Sequence, residues 1–135
     1  MIFLFSFGKQ IKLNINFLPF INISSDLGII SPDNRIYKKG YVKPVSYSVV
    51  KHGIIGLTKY TATYWPEKVS CNAIAFGGMD NNHSKEFSKK LKNLIPLNRM
   101  AKKKEFNGII LFLSSKVSSY INGATIVVDG GRTIF

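Results

Sequence analysis

The stretch SYSVVKHGIIGLTK, residues 46–59, decides the fold of this chain and predicts a helix. Ser46 is a good N-cap, because its hydroxyl can accept a backbone N–H of the first helical turn. Pro44 lies just before it, at a position that a helix has not yet entered. No proline follows between Tyr47 and Tyr64. We therefore expect a helix over that range.

Tyr47 and Lys51 are four residues apart, so a helix places both on one face. Free tyrosine ionises near pH ~10, and an ammonium group one turn away favours the phenolate. Such a pair can give a proton to a carbonyl oxygen, or take one from an alcohol, as a hydride moves. An ordinary surface lysine beside a packed tyrosine is the alternative. The same spacing recurs at Tyr64 and Lys68, but Pro66 breaks any helix there.

The composition narrows the class of protein. A chain of 135 residues with 45% hydrophobic residues predicts one folded domain and excludes wholesale disorder. Cys71 is the single cysteine, which excludes an internal disulfide and favours a reducing cytoplasm. No apolar run reaches the roughly 18 residues of a spanning helix, so we expect no membrane partner. We expect the apolar start, residues 1–7, to be neither a signal peptide nor an anchor.

The formal net charge of +12 leaves nucleic-acid binding open as an alternative. The lysines are spread along the chain, however, at positions 38–39, 85–92 and 102–104. No aromatic stacking platform is interleaved with them. The charge therefore favours a solvated lysine-rich surface over a nucleic-acid site.

Three apolar segments, residues 19–25, 68–75 and 124–129, predict parallel strands of an α/β sheet. Further helices are predicted within residues 80–95 and over residues 103–115. His83 has no Cys or second His at ligand spacing, so we expect no metal site.

The chain resembles the C-terminal half of the short-chain dehydrogenase/reductase family through four segments in the family's order. They are FINISSDLG (20–28), YSVVKHGIIGLTK (47–59), VSCNAIAFGG (69–78) and a C-terminal group, PLNRM (96–100), ILFLSS (110–115), SYING (119–123) and VVDGG (127–131). The resemblance implies a partial Rossmann-like, doubly wound parallel sheet of about three strands, whose N-terminal βαβ half is missing. It divides the chain into an irregular segment, residues 1–18, and a half-domain, residues 19–135.

The resemblance also assigns site residues. Ser25, Tyr47 and Lys51 match the family's catalytic residues, with Tyr47 as general acid/base. The implied cofactor is NAD or NADP. Its implied binding residues are Tyr47, Lys51 and a loop after the second predicted strand, Phe76, Gly77, Gly78 and Met79. The family usually has a proline where this chain has Phe76. The implied substrate is a small carbonyl or alcohol compound, and the loop of residues 26–45 resembles that of sugar-pathway oxidoreductases.

The Gly-rich turn that receives a dinucleotide's pyrophosphate is absent from the sequence. So are the family's ribose-binding acidic residue and its catalytic asparagine, for which Asn14 and Asn16 lie too close to the first strand. We therefore expect a truncated oxidoreductase that on its own binds NAD(P) poorly or not at all, so that activity of the isolated chain is left open.

The predicted helix is apolar on nearly every side, so we expect it to be buried. Gly53 and Gly56 predict close packing against another helix, and the resemblance implies a dimer interface there. An assembly fragment that forms homo-oligomers or pairs with a full-length relative is the alternative to an enzyme. A nucleic-acid-binding module is the third hypothesis.

Overall fold

A computed structural model describes residues 18–135 as a three-stranded parallel sheet with helices. The strands are β1 (Leu18–Ser25), β2 (Val69–Phe76) and β3 (Thr125–Val128), in the spatial order β1-β2-β3. The predicted α/β class and the three parallel strands are confirmed. The predicted irregular segment lies outside the described residues, except for Leu18, which begins β1.

Within residues 18–135, three α-helices connect and flank the strands: α1 (Val45–Tyr64), α2 (Lys85–Lys92) and α3 (Asn107–Leu113). Helix α1 begins one residue before Ser46, with Pro44 at the N-cap and no side-chain cap. The prediction that Ser46 caps this helix is therefore wrong, because the fixed φ of Pro44 already suits entry into the first turn.

The predicted helix over residues 103–115 is two shorter elements. A 3₁₀ turn, Lys103–Phe106, precedes α3, which ends at Leu113. Phe106 and Leu113 are the fully buried side chains of this region, whereas Leu111 is 69% exposed. Apolar residues at helical spacing predicted one continuous helix, but they do not all face the core.

The central strand β2 is buried along almost its whole length. Most of its buried residues are small, such as Ser70, Cys71, Ala73 and Ala75, and Ile74 is fully enclosed as well. Small residues let the flanking elements approach the sheet closely. A second hydrophobic cluster is formed by residues outside the strands, where Ile36 packs with Leu91, Ile95 and Met100.

Helix α1 does not fit the prediction of a buried helix. Its buried residues are Thr58, Thr61 and Ala62, while Val49 is 64% and Val50 56% exposed. The face that meets the sheet is small and mostly polar, Ile54 and Ile55 are half-buried, and the valines of the first turns are exposed.

The glycines of α1 are also exposed rather than packed. Open space surrounds both Gly53 and Gly56, with no atom within 4 Å of an added Cβ. No residue among 18–135 packs closely at these glycines, and their packing against a helix of a second chain stays a prediction. No helix in residues 18–135 has the length and apolar content needed to cross a membrane.

A buried ion pair ties the last turn of the chain to the end of β1. Arg132 Nη1 donates to Asp26 Oδ2 at 2.6 Å, and both side chains are at least 94% buried. Asp129 prepares this contact, because its carboxylate accepts the N–H groups of Gly131 at 2.8 Å and Thr133 at 2.7 Å. Gly131 adopts φ 92°, which a side chain disfavours, so the turn needs glycine there.

We expect Arg132→Met to lower the free energy of unfolding by about 3–5 kcal/mol, because it leaves the Asp26 carboxylate buried without a counter-charge. Chemical denaturation would measure the change. Arg35→Met is the matched control, because the Arg35–Asp33 pair lies on the surface and spans only two residues. An equal effect of the two substitutions would contradict the structural role of the buried pair.

Candidate active site

Ser25 is the last residue of β1, at the carboxyl edge of the sheet, where open α/β folds bind ligands. It is buried, and its Oγ donates to Asp26 Oδ1 at 2.8 Å and accepts from the Leu27 N–H at 3.2 Å. Asp26 in turn holds Arg132. The conformation of the Ser25 side chain is therefore set by a network that reaches the end of the chain.

Lys51 joins α1 to this same edge of the sheet. Its Nζ donates to the carbonyl oxygen of Ile23 at 3.0 Å. Its own backbone carbonyl accepts from Ser24 Oγ at 2.8 Å. Two hydrogen bonds thus join Lys51 of α1 to Ile23 and Ser24, the two residues of β1 that precede Ser25.

Tyr47 lies one turn before Lys51 and is 37% exposed. The Lys51 Nζ is 5.7 Å from the centroid of the Tyr47 ring. A second ammonium group, Lys43 Nζ, lies closer, at 4.2 Å from the same centroid. Lys43 was not predicted from the sequence, since this residue precedes the helix and belongs to no periodic pattern. Its position four residues before Tyr47 was the available signal.

The predicted cofactor loop begins later than expected. Phe76 is the last residue of β2, paired with Ser25 on one side and Val128 on the other. Its ring stacks on Phe106, with the centroids 4.2 Å apart. The assignment of Phe76 to the loop is therefore wrong, because an aromatic partner draws it into the sheet.

Gly77 and Gly78 are required by packing within the chain itself. A Cβ on Gly77 would lie 2.6 Å from Asp129 Cα, and one on Gly78 would lie 2.7 Å from a Leu91 methyl. Only glycine allows these approaches without displacing neighbours. Both residues shape the loop, whether or not a ligand lies over it.

Met79 has backbone groups that suit a bound amide. Its parallel bridge to Ala101 uses the Gly78 carbonyl and the Asp80 N–H. The N–H and C=O of Met79 itself therefore point away from Ala101. Neither has a hydrogen-bond partner among residues 18–135. This donor and acceptor, together with the remaining N–H donors of Lys51, fit a nicotinamide carboxamide and a ribose hydroxyl.

Among residues 18–135, both histidines contact groups that are not metal ligands. His52 Nδ1 is 3.0 Å from the Ser48 carbonyl oxygen, and His83 lies against the Phe87 ring. Across the part of the chain that the structure describes, no group of three His, Cys, Asp or Glu residues could hold a metal ion.

Comparisons with known proteins agree with this geometry. A family model described as enoyl-(acyl carrier protein) reductase matches residues 31–133. The 3-oxoacyl-(acyl-carrier-protein) reductase FabG of Aquifex aeolicus is 38% identical over 116 residues, which are 82% of this chain and 43% of that relative.

Solved structures give the same result. A short-chain dehydrogenase from Leptospira borgpetersenii with bound NAD+ matches with a TM-score of 0.79 and 35% identity, over 85% of this chain and 44% of that one. A gluconate 5-dehydrogenase from Burkholderia cenocepacia, in complex with NADP and tartrate, matches with a TM-score of 0.74 and 26% identity, over 89% of this chain and 46% of that one. The chain belongs to the short-chain dehydrogenase/reductase family, and it spans less than half the length of these relatives.

We expect Gly28→Ala to disturb the site. The added Cβ would lie 2.6 Å from Ser24 Oγ and 2.7 Å from the Lys51 carbonyl oxygen, and the backbone atom cannot move aside. A loss of about 1–3 kcal/mol in the free energy of unfolding follows.

Gly53→Ala is the control, because open space surrounds Gly53 in the middle of α1. This substitution should stabilise the protein by about 0.5–1 kcal/mol. Thermal denaturation of both variants tests the contact. Stabilisation by both would show that α1 does not approach Gly28 as described.

Proposed function

We propose that this chain carries the catalytic centre of an NAD(P)-dependent oxidoreductase that interconverts a carbonyl and an alcohol. The observation that supports it most is the hydrogen bond from Lys51 Nζ to the Ile23 carbonyl. It fixes Lys51 against the strand that ends at Ser25, and Tyr47 lies one helical turn before Lys51. Family membership supports the same chemistry.

Each side chain has a separate task in this proposal. Tyr47 exchanges a proton with the substrate oxygen, as general acid for reduction and general base for oxidation. Lys51 places a fixed positive charge near the Tyr47 ring and keeps donors free for a ribose hydroxyl. Ser25 hydrogen-bonds the substrate oxygen.

The hydroxyl of Ser25 has one proton, and Asp26 accepts it in this structure. Ser25 is thus oriented to accept a hydrogen bond from an alcohol. To donate to a carbonyl oxygen, its hydroxyl has to rotate away from Asp26. The network therefore favours the alcohol form of the substrate in the ground state.

A nicotinamide cofactor, when bound, supplies or accepts the hydride. Lys51 and the backbone of Met79 would hold its ribose and carboxamide, with Tyr47 beside it and Phe76, Gly77 and Gly78 shaping the loop. Relatives contain NAD+ in one structure and NADP in another, so either form is a candidate here. We propose a small carbonyl or alcohol substrate, sugar-related as in the gluconate 5-dehydrogenase, and a cytoplasmic location.

Tyr47→Phe should lower turnover about 10²–10⁴-fold, because it removes the proton-exchanging hydroxyl and keeps the ring. Oxidation of NADH or NADPH, followed by its absorbance with a panel of keto acids, keto sugars and 3-oxoacyl thioesters, measures this. Tyr60→Phe is the control, since Tyr60 is an exposed tyrosine further along the same helix.

Equal turnover by the Tyr47 and Tyr60 variants would contradict the assigned role. Absence of turnover by the unmodified chain with every substrate and both cofactors would refute activity of the chain alone.

The exposed face of α1 favours a second function, pairing with another copy or with a full-length relative. Val49, Val50, Tyr60 and Tyr64 are each more than half exposed on this one helix. Contiguous apolar surface of this kind is typical of protein interfaces.

Val50→Glu should shift the chain toward monomer in sedimentation analysis, because a charge would be buried in the pair. Val117→Glu is the control, at an apolar residue that is 81% exposed and lies outside α1. Pairing would be excluded if the unmodified chain is a monomer and does not bind a full-length relative.

Nucleic-acid binding stays the least favoured prediction, and a mobility shift that weakens with salt would support it.

A further inference from the structure

A cleft of about 350 Å³ opens between the loop that precedes α1 and the start of α2. Its volume lies within the range of small-molecule sites, roughly 300–1,000 Å³. The loop that forms one wall, residues 29–44, belongs to the segment that connects Ser25 to Tyr47. The cleft is therefore built by the residues that lead directly into the candidate active site.

Aromatic rings form the apolar wall of this cleft. Tyr37 lies 5.1 Å from Tyr41 and 5.7 Å from Phe87, measured between ring centroids. Linked aromatic faces of this kind offer flat apolar contact to the carbon–hydrogen face of a sugar. The two phenol hydroxyls and the hydroxyl of Ser84 add donors and acceptors for ligand hydroxyls.

Positive charge dominates the rim. Lys38 and Lys43 both line the cleft, and neither forms an ion pair with a carboxylate in residues 18–135. Glu86 is the cleft's acidic residue, and Lys90 binds it at 2.9 Å. That bond and the charge of Lys90 lower the pKa of Glu86, and Lys90 balances its negative charge. An anionic ligand group would therefore meet uncompensated positive charge.

The cleft adjoins the candidate active site at Lys43. Lys43 is half-buried, lines the cleft and also covers the ring of Tyr47. Burial raises the pKa of Tyr37, while the Arg132 charge opposes that rise and the neighbouring Tyr41, Asp26 and Tyr47 add to it. A ligand group bound by Lys43 would therefore lie beside Tyr47.

We propose that this cleft is the substrate subsite and that it selects an anionic polyhydroxylated compound, with Lys43 binding the carboxylate or phosphate and Tyr37, Tyr41 and Phe87 contacting the carbon skeleton. The inference rests on the proposed oxidoreductase function, since it names the class of substrate for that centre. Lys43 is the specificity-determining residue.

The test is a titration of the isotope-labelled chain, followed by the backbone NMR shifts of Tyr41, Lys43 and Phe87. Four probes separate the contributions: D-gluconate and glucose 6-phosphate carry hydroxyls with different anions, glucose lacks the anion, and butyrate lacks the hydroxyls. We expect gluconate or glucose 6-phosphate to shift the signals of all three residues. The affinity obtained from these shifts should be at least about tenfold higher than that of glucose or butyrate, which is the contribution of one charge-assisted hydrogen bond. The tighter of the two anions identifies the preferred group.

Lys43→Gln should weaken binding of the preferred anion about tenfold and leave glucose unchanged. Lys39→Gln is the matched control, because Lys39 carries the same charge on the same loop and does not line the cleft. Equal binding of gluconate, glucose and butyrate, equal losses in both variants, or no shift with any probe would overturn the proposal. The readout needs neither cofactor nor turnover, so failure of this subsite is distinguishable from failure of the proposed oxidoreduction.

Discussion

The contact between α1 and β1 is the constraint on which the rest of the site depends, and it is polar. Lys51 Nζ bonds the Ile23 carbonyl, Ser24 Oγ bonds the Lys51 carbonyl, and Asn22 Nδ2 bonds Thr58 Oγ1 at 2.9 Å. Directional bonds fix the rotation and register of a helix on a sheet more closely than apolar packing does. Tyr47 faces the carboxyl edge because Lys51 and Thr58 are held in this way.

The same constraint explains why the apolar residues of α1 lie outside. A helix can turn only one face to a sheet, and here hydrogen bonds assign that face to Thr58, Thr61 and Ala62. Val49 is left on the opposite side of the helix and Val50 on the flank of the docked face, and an isolated chain exposes both to water. Catalytic geometry and a surface suited to pairing are thus two consequences of one docking arrangement.

The sequence predicted the local features that rest on short-range patterns. Strands β1, β2 and β3 followed from apolar runs bounded by turn residues, and α1 followed from a proline-free stretch. Its orientation could not be predicted, because apolar content does not show which face carries the hydrogen bonds. The contact of Phe76 with Phe106 and the Asp26–Arg132 pair were also missed, since each joins residues far apart in the sequence. Lys43 was missed because it precedes the helix. The roles of Ser25, Tyr47 and Lys51 stay predictions.

The docking of α1 on β1 is tested most directly by nuclear Overhauser effects from the Lys51 side chain in solution. We expect cross-peaks from the Lys51 ε-methylene to Ile23 and Ser24, and to the ring of Tyr47. Helix α1 amides around Thr58 should exchange slowly with solvent, because that turn is buried on the sheet. Cross-peaks restricted to residues within α1, with fast exchange at Thr58, would mean that α1 is not docked on β1, and the proposed active site would not exist.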